Sequence, residues 1–167
     1  FAVVFSVQWA DLTIPHDNQN HIAAGNSFSA IINSDRTVTL WGDDSDSNDP
    51  VNSIPSGLSD VVAISAGNNF ILALKSDGTV VAWGKNDQGQ LNVPSGLSNV
   101  VAISASSNYE HAMALKSDGT VVAWGNNDYG QLNVPGGLSD VVGISAGAKN
   151  QFALLFLLQM LLQYHHL

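Results

Sequence analysis

The amino-acid sequence predicts an all-β protein built from repeated sheets. Two observations carry this prediction: a stretch of about 40 residues recurs along the chain, and each copy divides into four short apolar segments joined by tight turns. Residues 61–99 and 100–140 are closely similar copies, and the second is two residues longer. Strand-length segments separated by turns this short leave no room for helices.

Further copies flank this pair. A diverged copy precedes it, a partial copy follows it and departs from the pattern after Leu155, and Leu12–Pro15 matches Leu91–Pro94 near the start of the chain. The chain therefore divides into repeats over residues 1–155 and an apolar tail over residues 156–167. The repeats comprise a partial unit at 1–21, whole units at 22–60, 61–99 and 100–140, and a partial unit at 141–155.

The unit at 61–99 shows how each segment is assigned. Val61–Ala66 and Phe70–Lys75 are apolar runs separated by Gly-Asn-Asn. A Ser-Asp-Gly turn signature then leads into Thr79–Trp83, a run rich in β-branched residues. Gln90–Val93 is the predicted fourth strand. A period near 40 with four strands per unit is typical of the blade of a β-propeller.

Some residues recur at the same place in each unit, and we predict a structural role for them. The first segment is rich in Ala and Ser, as expected near a crowded propeller axis, whereas a Trp ends the third segment, where blades diverge and need filling. An alternative for the tryptophans is a ring of exposed aromatic side chains that contact a partner. The predicted structural residues are Trp41, Trp83, Trp124, Gly78, Gly119, Pro94 and Pro135.

The segment ALKSDGTVVAWG, followed by Asn-Asp-x-Gly-Gln-Leu-Asn-Val-Pro, resembles the regulator-of-chromosome-condensation repeat family. It is more similar to the bacterial-style repeats than to the eukaryotic nuclear protein. The resemblance covers about residues 22–155 well and the first 21 residues weakly. It implies a propeller, usually of seven blades, in which the two ends of the chain complete one blade.

The number of blades depends on how the partial units combine. If Val3–Pro15 supplies the third and fourth strands of a blade and Val141–Leu155 its first two, the ring closes with about four blades. Alternatively, the chain is part of a seven-bladed ring, or forms an open arc. An open arc would expose a blade face and strand edges, which favour pairing with another protein.

Composition excludes several classes of ligand. Five Lys and Arg against 14 Asp and Glu give a formal net charge of −9, so a surface that neutralises phosphates, and hence a nucleic-acid partner, is not expected. Cysteine is absent, and the five histidines show no metal-ligand spacing. We expect neither a metal nor another cofactor. No run of 18 apolar residues predicts a transmembrane span.

The compartment stays open. No signal peptide is readable from a chain that starts at Phe1. The scarcity of Lys and Arg argues against a nuclear, chromatin-bound protein. A secreted or organelle-lumenal protein is compatible with the sequence.

The sequence predicts no enzyme. Gly143–Gly147 matches the Gly-x-Ser-x-Gly pattern of a hydrolase nucleophile elbow. However, its serine, Ser145, is a repeat residue with counterparts in the other units, and no acidic residue follows it. The recurrent aspartates, such as Asp77 and Asp118, are explained by turns.

Loop residues that break the repeat are the predicted contacts with a partner, because folding of the repeat does not require them. An acidic loop follows Trp41 and lacks the Gly and Glu that a helix-loop-helix calcium site requires. The inserted loop of the third whole unit is rich in polar and aromatic residues, and one further tyrosine stands where its sister unit has Gln88. The predicted contacts are Asp43, Asp44, Asp46 and Asp49; Asn108, Tyr109, Glu110 and His111; and Tyr129.

The end of the chain is strongly apolar. Phe152–Leu162 has one polar residue in eleven, is rich in Leu rather than in β-branched residues, and replaces the expected Ser-Asp-Gly turn. We therefore predict a short apolar C-terminal segment, with a helix as one option, that contacts an apolar subunit surface or a membrane surface. Its predicted interface residues are Phe152, Leu155, Phe156, Leu158 and Leu162.

These observations predict a non-catalytic propeller that binds another protein, as a recognition module or an accessory subunit of a larger assembly, with negative charge steering it towards basic partners. A second hypothesis is a secreted enzyme inhibitor. A bacterial β-lactamase-inhibiting protein has a similar propeller, and the resemblance implies roles for Tyr109, Glu110, Tyr129 and Asp46. Nucleotide exchange on a small GTPase ranks last, since this short acidic chain differs from the seven-bladed nuclear relative.

Overall fold

The computed structural model describes residues 21–42, 53–147 and 151–155. These residues form four antiparallel sheets that follow one another along the chain, and the described residues contain no helix. The first sheet comprises β1 (Ile22–Ala24), β2 (Phe28–Ile32) and β3 (Val38–Gly42); the second, β4 (Val61–Ala66), β5 (Phe70–Lys75) and β6 (Val80–Gly84); the third, β7 (Val100–Ala105), β8 (His111–Lys116) and β9 (Val121–Gly125); the fourth, β10 (Val141–Ala146) and β11 (Gln151–Leu155). The all-β prediction is confirmed.

The Ser-Asp-Gly segments form the predicted hairpin turns. In the second sheet the Gly78 N–H donates to the carbonyl of Lys75 over 2.9 Å, and Gly78 has a φ of 77°. The Asp77 carboxylate accepts hydrogen bonds from the Thr79 hydroxyl at 2.6 Å and the Thr79 N–H at 3.0 Å. These hydrogen bonds, the hydroxyl first, lower the pKa of Asp77. The aspartate is thus a turn residue, as predicted.

The core lies between consecutive sheets. One apolar cluster joins Phe28 and Ala30 of the first sheet to Ile64 and Trp83 of the second. A second cluster joins Phe70, Leu72 and Leu74 of the second sheet to Ile103 and Trp124 of the third. The second and third sheets therefore each present a Trp-bearing face to the sheet before them, and the first and second sheets each present a face of other apolar residues to the sheet after them.

The tryptophans do not all share one environment. Trp83 and Trp124 are 5% exposed, and the Trp124 indole Nε1 donates to the carbonyl of Gln90 in the preceding unit over 2.9 Å. Both side chains pack in the apolar clusters between consecutive sheets. Trp41, at the same place in the first sheet, is 54% exposed, so the prediction of a buried filling residue is wrong at this position.

Backbone hydrogen bonds join each unit to the next. The Val100 N–H donates to the carbonyl of Gly78 over 3.1 Å, and the Val141 N–H donates to the carbonyl of Gly119 over 3.3 Å. Near the other end of these strands, the Ser65 hydroxyl accepts the Ala105 N–H at 2.9 Å. Each hairpin turn and each first strand thus help to position the following sheet.

The predicted fourth strand of the unit is absent from the second and third sheets, each of which has three strands. Residues 90–93 instead bond within their own turn. The Leu91 N–H donates to the Asn86 carboxamide oxygen at 2.9 Å, and the Val93 N–H donates to the Leu91 carbonyl at 2.8 Å. Pro94 then begins a turn closed by the Leu97 N–H at 3.1 Å, and Pro135 begins the corresponding turn of the next unit.

The apolar segment near the C-terminus begins as a strand. Gln151–Leu155 pairs with β10, and Phe152 stands opposite Ser145 in the register. Val141–Leu155 therefore supplies two paired strands, as predicted, and the segment for which a helix was one option is a strand as far as Leu155. Three groups of predicted residues lie outside the described residues. They are the tail residues Phe156, Leu158 and Leu162; the partial unit at 1–21 as far as residue 20; and the acidic-loop residues Asp43, Asp44, Asp46 and Asp49.

Candidate partner-binding surface

Two loops of the unit at 100–140 meet at one end of the third sheet. One joins β7 to β8 and carries the insertion, and the other follows β9. The ring centroids of Tyr109, from the first loop, and Tyr129, from the second, are 5.0 Å apart with an interplanar angle of 78°. Tyr129 is exposed. The structure thus brings together the two tyrosines predicted to contact a partner.

The inserted loop is held by Ser106, a buried residue that occupies the place of Gly67 in the preceding unit. Its hydroxyl donates to the carbonyl of Gly147 in the fourth unit over 2.9 Å. The same oxygen lies 3.4 Å from the backbone nitrogens of both Asn108 and Tyr109, which donate to it. One buried hydroxyl therefore ties the loop to the next unit and shapes its turn.

Glu110 completes this loop in a left-handed conformation, with a φ of 45°. Its carbonyl accepts the Asn126 N–H at 3.1 Å, which links the inserted loop to the loop after β9. Asn108 is exposed. A non-glycine residue with positive φ is uncommon and requires surrounding structure to hold it.

The loop after β9 is held by buried amides. The Gln131 Oε1 accepts the Tyr129 N–H at 2.8 Å, and its Nε2 donates to the Asn126 Oδ1 at 2.6 Å. The Asn126 Nδ2 donates to Asp128 at 2.9 Å and to the Gln88 Oε1 of the preceding unit at 3.0 Å. Together with the Ser106–Gly147 hydrogen bond, these contacts connect the two tyrosine-bearing loops to the preceding and the following unit.

These supporting polar residues were missed in the sequence analysis. Ser106, Asn126 and Gln131 are all buried, yet the sequence analysis gives none of them a supporting role. For Gln131 the available signal was the Asn-Asp-x-Gly-Gln motif, which recurs in the units at 61–99 and 100–140, whereas Asn126 stands where the sister unit has Lys85. A serine standing where the sister unit has Gly67 was the second signal.

His111 does not belong to the surface. It was predicted as a loop contact, but it begins β8 opposite Gly125 and is fully buried. It occupies the position of Phe70 in the second sheet, five residues before the lysine of the Ser-Asp-Gly turn in each case. Within the described part of the chain, neither ring nitrogen has a hydrogen-bond partner of good geometry. The imidazole is thus a polar group in the place of an aromatic core residue.

Burial lowers the pKa of His111 from its usual 6.5, an effect that a backbone contact with Tyr109 offsets only in part. The unfolded chain therefore takes up the proton at a higher pH than the folded chain. We expect the free energy of unfolding to be unaffected by this group well above pH about 6.5. Below that pH the stability is lost at up to about 1.4 kcal/mol per pH unit.

The variant His111→Phe tests this expectation, because phenylalanine fills the same position in the first two sheets. Urea unfolding of both proteins between about pH 7.5 and 5.5 should show the variant losing less stability than the native chain as the pH falls. Equal pH dependence of the two proteins would contradict a neutral, buried His111.

The repeats are also recognisable by comparison with known proteins. The sequence model of the regulator of chromosome condensation (RCC1) repeat matches residues 61–90 and 100–131. The chain contains RCC1 repeats. No curated protein matches the sequence. The predicted resemblance is thus confirmed, over the two units in which the sequence motif is complete.

Solved structures with RCC1-like propellers have the same fold. The ectodomain of the receptor kinase ACR4 from Arabidopsis thaliana is 25% identical, with a TM-score of 0.61 over 81% of this chain and 45% of that one. Prp20p from Saccharomyces cerevisiae is 19% identical (TM-score 0.63, 80% and 42%), and human WBSCR16 is 19% identical (TM-score 0.64, 80% and 44%). The chain spans less than half the length of these proteins. The β-propeller prediction is confirmed, and the number of blades stays a prediction.

The RCC1 repeat explains the serine of the Gly-x-Ser-x-Gly match. Ser65 and Ser104 occupy the place of Ser145 in the two preceding sheets. Their hydroxyls each accept a backbone N–H from the next sheet at 2.9 Å, from Ala105 and Ala146 respectively. The serine position of the first strand therefore joins one sheet to the next. Because this serine recurs in the repeat, the Gly-x-Ser-x-Gly match is explained without a nucleophile.

At the opposite end of the strands the RCC1 repeats form a shallow groove of about 450 Å³ between the second and third units. Its polar lining includes Lys75 and Asp77, whose charged groups are 3.4 Å apart, and Asn99. These are residues of the repeated turn. Residues 21–42, 53–147 and 151–155 contain no group of three side chains suited to hold a metal ion, and they contain no helix with the length and hydrophobicity to cross a membrane.

Proposed function

We propose that this chain is a non-catalytic, protein-binding propeller module, acting in recognition or as an accessory subunit of a larger assembly, and that it contacts its partner through Tyr109 and Tyr129. The observation that carries the proposal is the meeting of these two side chains, from separate loops, on a support of buried polar residues. The repeat needs neither tyrosine, because the unit at 61–99 folds with Gln88 in place of Tyr129 and without the insertion.

The physical chemistry of the surface supports protein binding. Tyrosine is enriched among the residues that dominate interface energetics, since it offers a large apolar ring with a polar end. The loops are held in place before binding by Ser106 and Gln131, so little conformational entropy is lost when a partner docks.

Charge supports a basic partner. Glu110 and Asp128 lie in the same two loops as the tyrosines, and the chain has a formal net charge of −9. A field of this sign speeds the encounter with positively charged proteins and weakens as salt concentration rises. Among proteins with this fold, binding properties towards Gsp1p and histones are described for Prp20p, and yeast RCC1 has been crystallised with Kap60.

The absence of catalysis is part of the proposal. Ser145 stands at a sheet-joining position of the repeat, and the aspartates of the Ser-Asp-Gly turns bond to the threonine two residues ahead. These positions of the repeat therefore have structural roles that need no substrate.

The proposal is tested by capture with the full 167-residue chain from the source extract, compared by quantitative mass spectrometry with Tyr109→Ala/Tyr129→Ala. The partner is then purified and its Kd measured. We expect the double variant to bind at least about tenfold more weakly, which corresponds to about 1.4 kcal/mol. The single variants Tyr109→Phe and Tyr129→Phe, which keep the ring pair, should lose less.

Val101→Ser is the matched control, because Val101 is an exposed apolar residue of β7 that lines the groove at the opposite end of the sheet. It should bind like the native chain. A partner that binds the double variant and the native chain equally well would exclude the tyrosine surface, and a partner lost with Val101→Ser alone would move the binding site to the groove.

A secreted enzyme inhibitor is the second candidate. The observation that favours it is that Tyr109, Glu110 and Tyr129, which the resemblance to the bacterial inhibitor singles out, belong to two loops in contact. Inhibition of a panel of β-lactamases at micromolar concentration of the chain tests it, and no inhibition would remove the idea. Nucleotide exchange on a small GTPase stays a prediction without support from the described residues.

A further inference from the structure

The loop after β9 lacks a cation that its counterpart after β6, the sister loop, contains. In the sister loop the Lys85 ammonium lies 2.9 Å from the Asp87 carboxylate. Asp128 stands in the place of this aspartate, but Asn126 stands in the place of the lysine. The Asn126 Nδ2 donates to the Asp128 Oδ2 over 2.9 Å, so an uncharged amide replaces the ammonium. The loop after β9 therefore keeps the carboxylate without its internal counter-charge.

Asp128 differs in this respect from other aspartates of the repeat. In residues 21–42, 53–147 and 151–155, each lysine pairs with the aspartate two residues further on, and no ion pair includes Asp128. The pairs are Lys75–Asp77, Lys85–Asp87 and Lys116–Asp118. The charge of Asp128 is thus not balanced by a cation within the part of the chain that the structure describes.

An aromatic side chain follows this carboxylate. Tyr129 takes the place of Gln88 in the sister loop, and it is 56% exposed. Its contact with Tyr109 is edge-to-face, which leaves the rings unstacked on each other. The face of an aromatic ring is negative and attracts cations. The loop after β9 thus differs from the sister loop by one cation fewer and one aromatic ring more.

Both groups are attached to a fixed backbone. The Asp128 N–H donates to the Oδ1 of the buried Asn126 at 3.0 Å, and this oxygen also accepts the Gln131 Nε2. The Tyr129 N–H donates to the Gln131 Oε1 at 2.8 Å. A cation from outside would therefore meet an anion and a ring that need little further ordering, which favours affinity.

We propose that the tyrosine surface binds an arginine side chain of the partner, with the guanidinium paired to the Asp128 carboxylate and packed against the Tyr129 ring. Arginine fits better than lysine because its guanidinium is planar and weakly hydrated, stacks on aromatic rings and forms two parallel hydrogen bonds with a carboxylate. This inference rests on the proposed function, since it names the group that the tyrosine surface recognises.

The first test needs no natural partner. Blocked hexaarginine, hexalysine and hexacitrulline peptides are titrated into the 167-residue chain by calorimetry at low salt, where exposed charges are screened least. We expect hexaarginine to bind about threefold more tightly than hexalysine, or better, because only the guanidinium stacks on the ring. Hexacitrulline has a similar shape without the charge, and it should bind far more weakly than either.

Substitutions taken from the sister loop separate the ring from the carboxylate. Tyr129→Gln should abolish the preference for hexaarginine over hexalysine. Asn126→Lys places an ammonium beside Asp128, as Lys85 does beside its aspartate, and it should weaken binding of both peptides about threefold or more. Val101→Lys is the control for net charge, since it adds the same charge on an exposed residue that lines the groove at the opposite end of the sheet. Its effect should be clearly smaller.

A second variant keeps the test decisive if Asn126→Lys does not fold. Asp128→Asn removes the charge and keeps an oxygen that can accept the Asn126 hydrogen bond. It should weaken hexaarginine binding about as much as Asn126→Lys does. Circular dichroism and urea unfolding confirm that each variant is folded under the conditions of the titration.

Three outcomes with the peptides would overturn the proposal. Equal weakening by Asn126→Lys and Val101→Lys would show that only the net charge matters. A preference for hexaarginine that is absent from the native chain, or that persists in Tyr129→Gln, would exclude stacking on this ring. A preference seen only in Lys149→Gln would show that the chain's own Lys149, which lies outside the described residues, occupies the site.

The captured partner distinguishes this inference from the proposed function. Asn126→Lys and Asp128→Asn should each weaken its binding about threefold or more. If both variants bind it like the native chain while Tyr109→Ala/Tyr129→Ala does not, the arginine site is wrong and the tyrosine surface stands. If the double tyrosine variant also binds normally, the proposed function itself fails.

Discussion

Replacing Trp124 by alanine is expected to lower the free energy of unfolding by about 3–5 kcal/mol. The indole is buried between the second and third sheets, where it packs in the cluster that contains Phe70 and Leu72. Its Nε1 also donates the hydrogen bond to the Gln90 carbonyl at 2.9 Å. The substitution would leave a cavity and a buried acceptor without its donor, and both effects destabilise the folded state.

Urea unfolding followed by circular dichroism, at one fixed protein concentration, measures this loss. Trp124→Phe separates the two effects, because it keeps much of the apolar volume and removes only the donor. We expect it to cost about 1–3 kcal/mol, less than the alanine variant. Equal losses for the two variants would show that the hydrogen bond, and not the packing between sheets, makes the larger contribution.

The three strands of each unit were predictable because their signals are local. The Ser-Asp-Gly turn fixes where the second strand ends and the third begins, and its hydrogen bonds from Thr79 to Asp77 lie within the turn itself. Apolar runs on either side then pair in the only register that the hairpin allows. Prediction was most accurate where a short sequence contains its own turn chemistry.

The fourth strand was predicted wrongly because its alternating pattern has another cause. The segment at 90–93 reads as polar and apolar in turn, which is also typical of a half-buried strand. In the structure the Leu91 N–H bonds to the Asn86 side chain, and the Gln90 Oε1 accepts the Gln88 N–H at 2.9 Å. Asparagine and glutamine side chains thus replace the strand partners.

The candidate site was predictable in part. Departure from the repeat identified both Tyr109 and Tyr129, but their contact depends on the lengths and hydrogen bonds of two loops, which the sequence does not reveal. His111 was assigned to the loop because the insertion obscured the register. Counting back from the Ser-Asp-Gly turn, instead of forward from β7, places it at the aromatic core position of Phe70.

The exposure of Trp41 was not predictable from its own unit. Trp41, Trp83 and Trp124 have the same local sequence, Trp-Gly at the end of the third strand. Whether each is buried depends on the sheet that precedes it, and the described residues include such a sheet only for the second and third tryptophans. A repeat thus predicts which face of a sheet is apolar, whereas its neighbours decide whether that face is covered.

The glycine after each tryptophan has an equally definite role. Gly84 lies opposite Phe70 in the register, and its φ is 111°. A Cβ placed on it would lie 2.5 Å from the carbonyl oxygen of Asn69 and 2.8 Å from the Phe70 Cα. Both are backbone atoms of the neighbouring strand, so neither can rotate away. Gly125 has the same environment in the third sheet, with the Glu110 carbonyl oxygen at 2.5 Å from the added Cβ.

We expect Gly84→Ala to lower the free energy of unfolding by about 3 kcal/mol or more, because a strained backbone and a steric contact add to each other. Gly96→Ala is the matched control. Gly96 also has a positive φ, of 79°, but an added Cβ would meet nothing within 4 Å. Its substitution should therefore show the cost of the backbone conformation alone, about 1–2 kcal/mol.

The difference between the two variants in urea unfolding then measures how closely the Trp-bearing strand approaches its neighbour. If Gly84→Ala is no less stable than Gly96→Ala, the strands separate at little cost, and the Trp-Gly pair cannot be explained by close approach. If Gly84→Ala is less stable than Gly96→Ala by more than about 1 kcal/mol, glycine is required at position 84. Only glycine would then let β6 lie in contact with the start of β5 while Trp83 packs against the first sheet. The recurrence of Trp-Gly once per unit would then follow from a single steric condition.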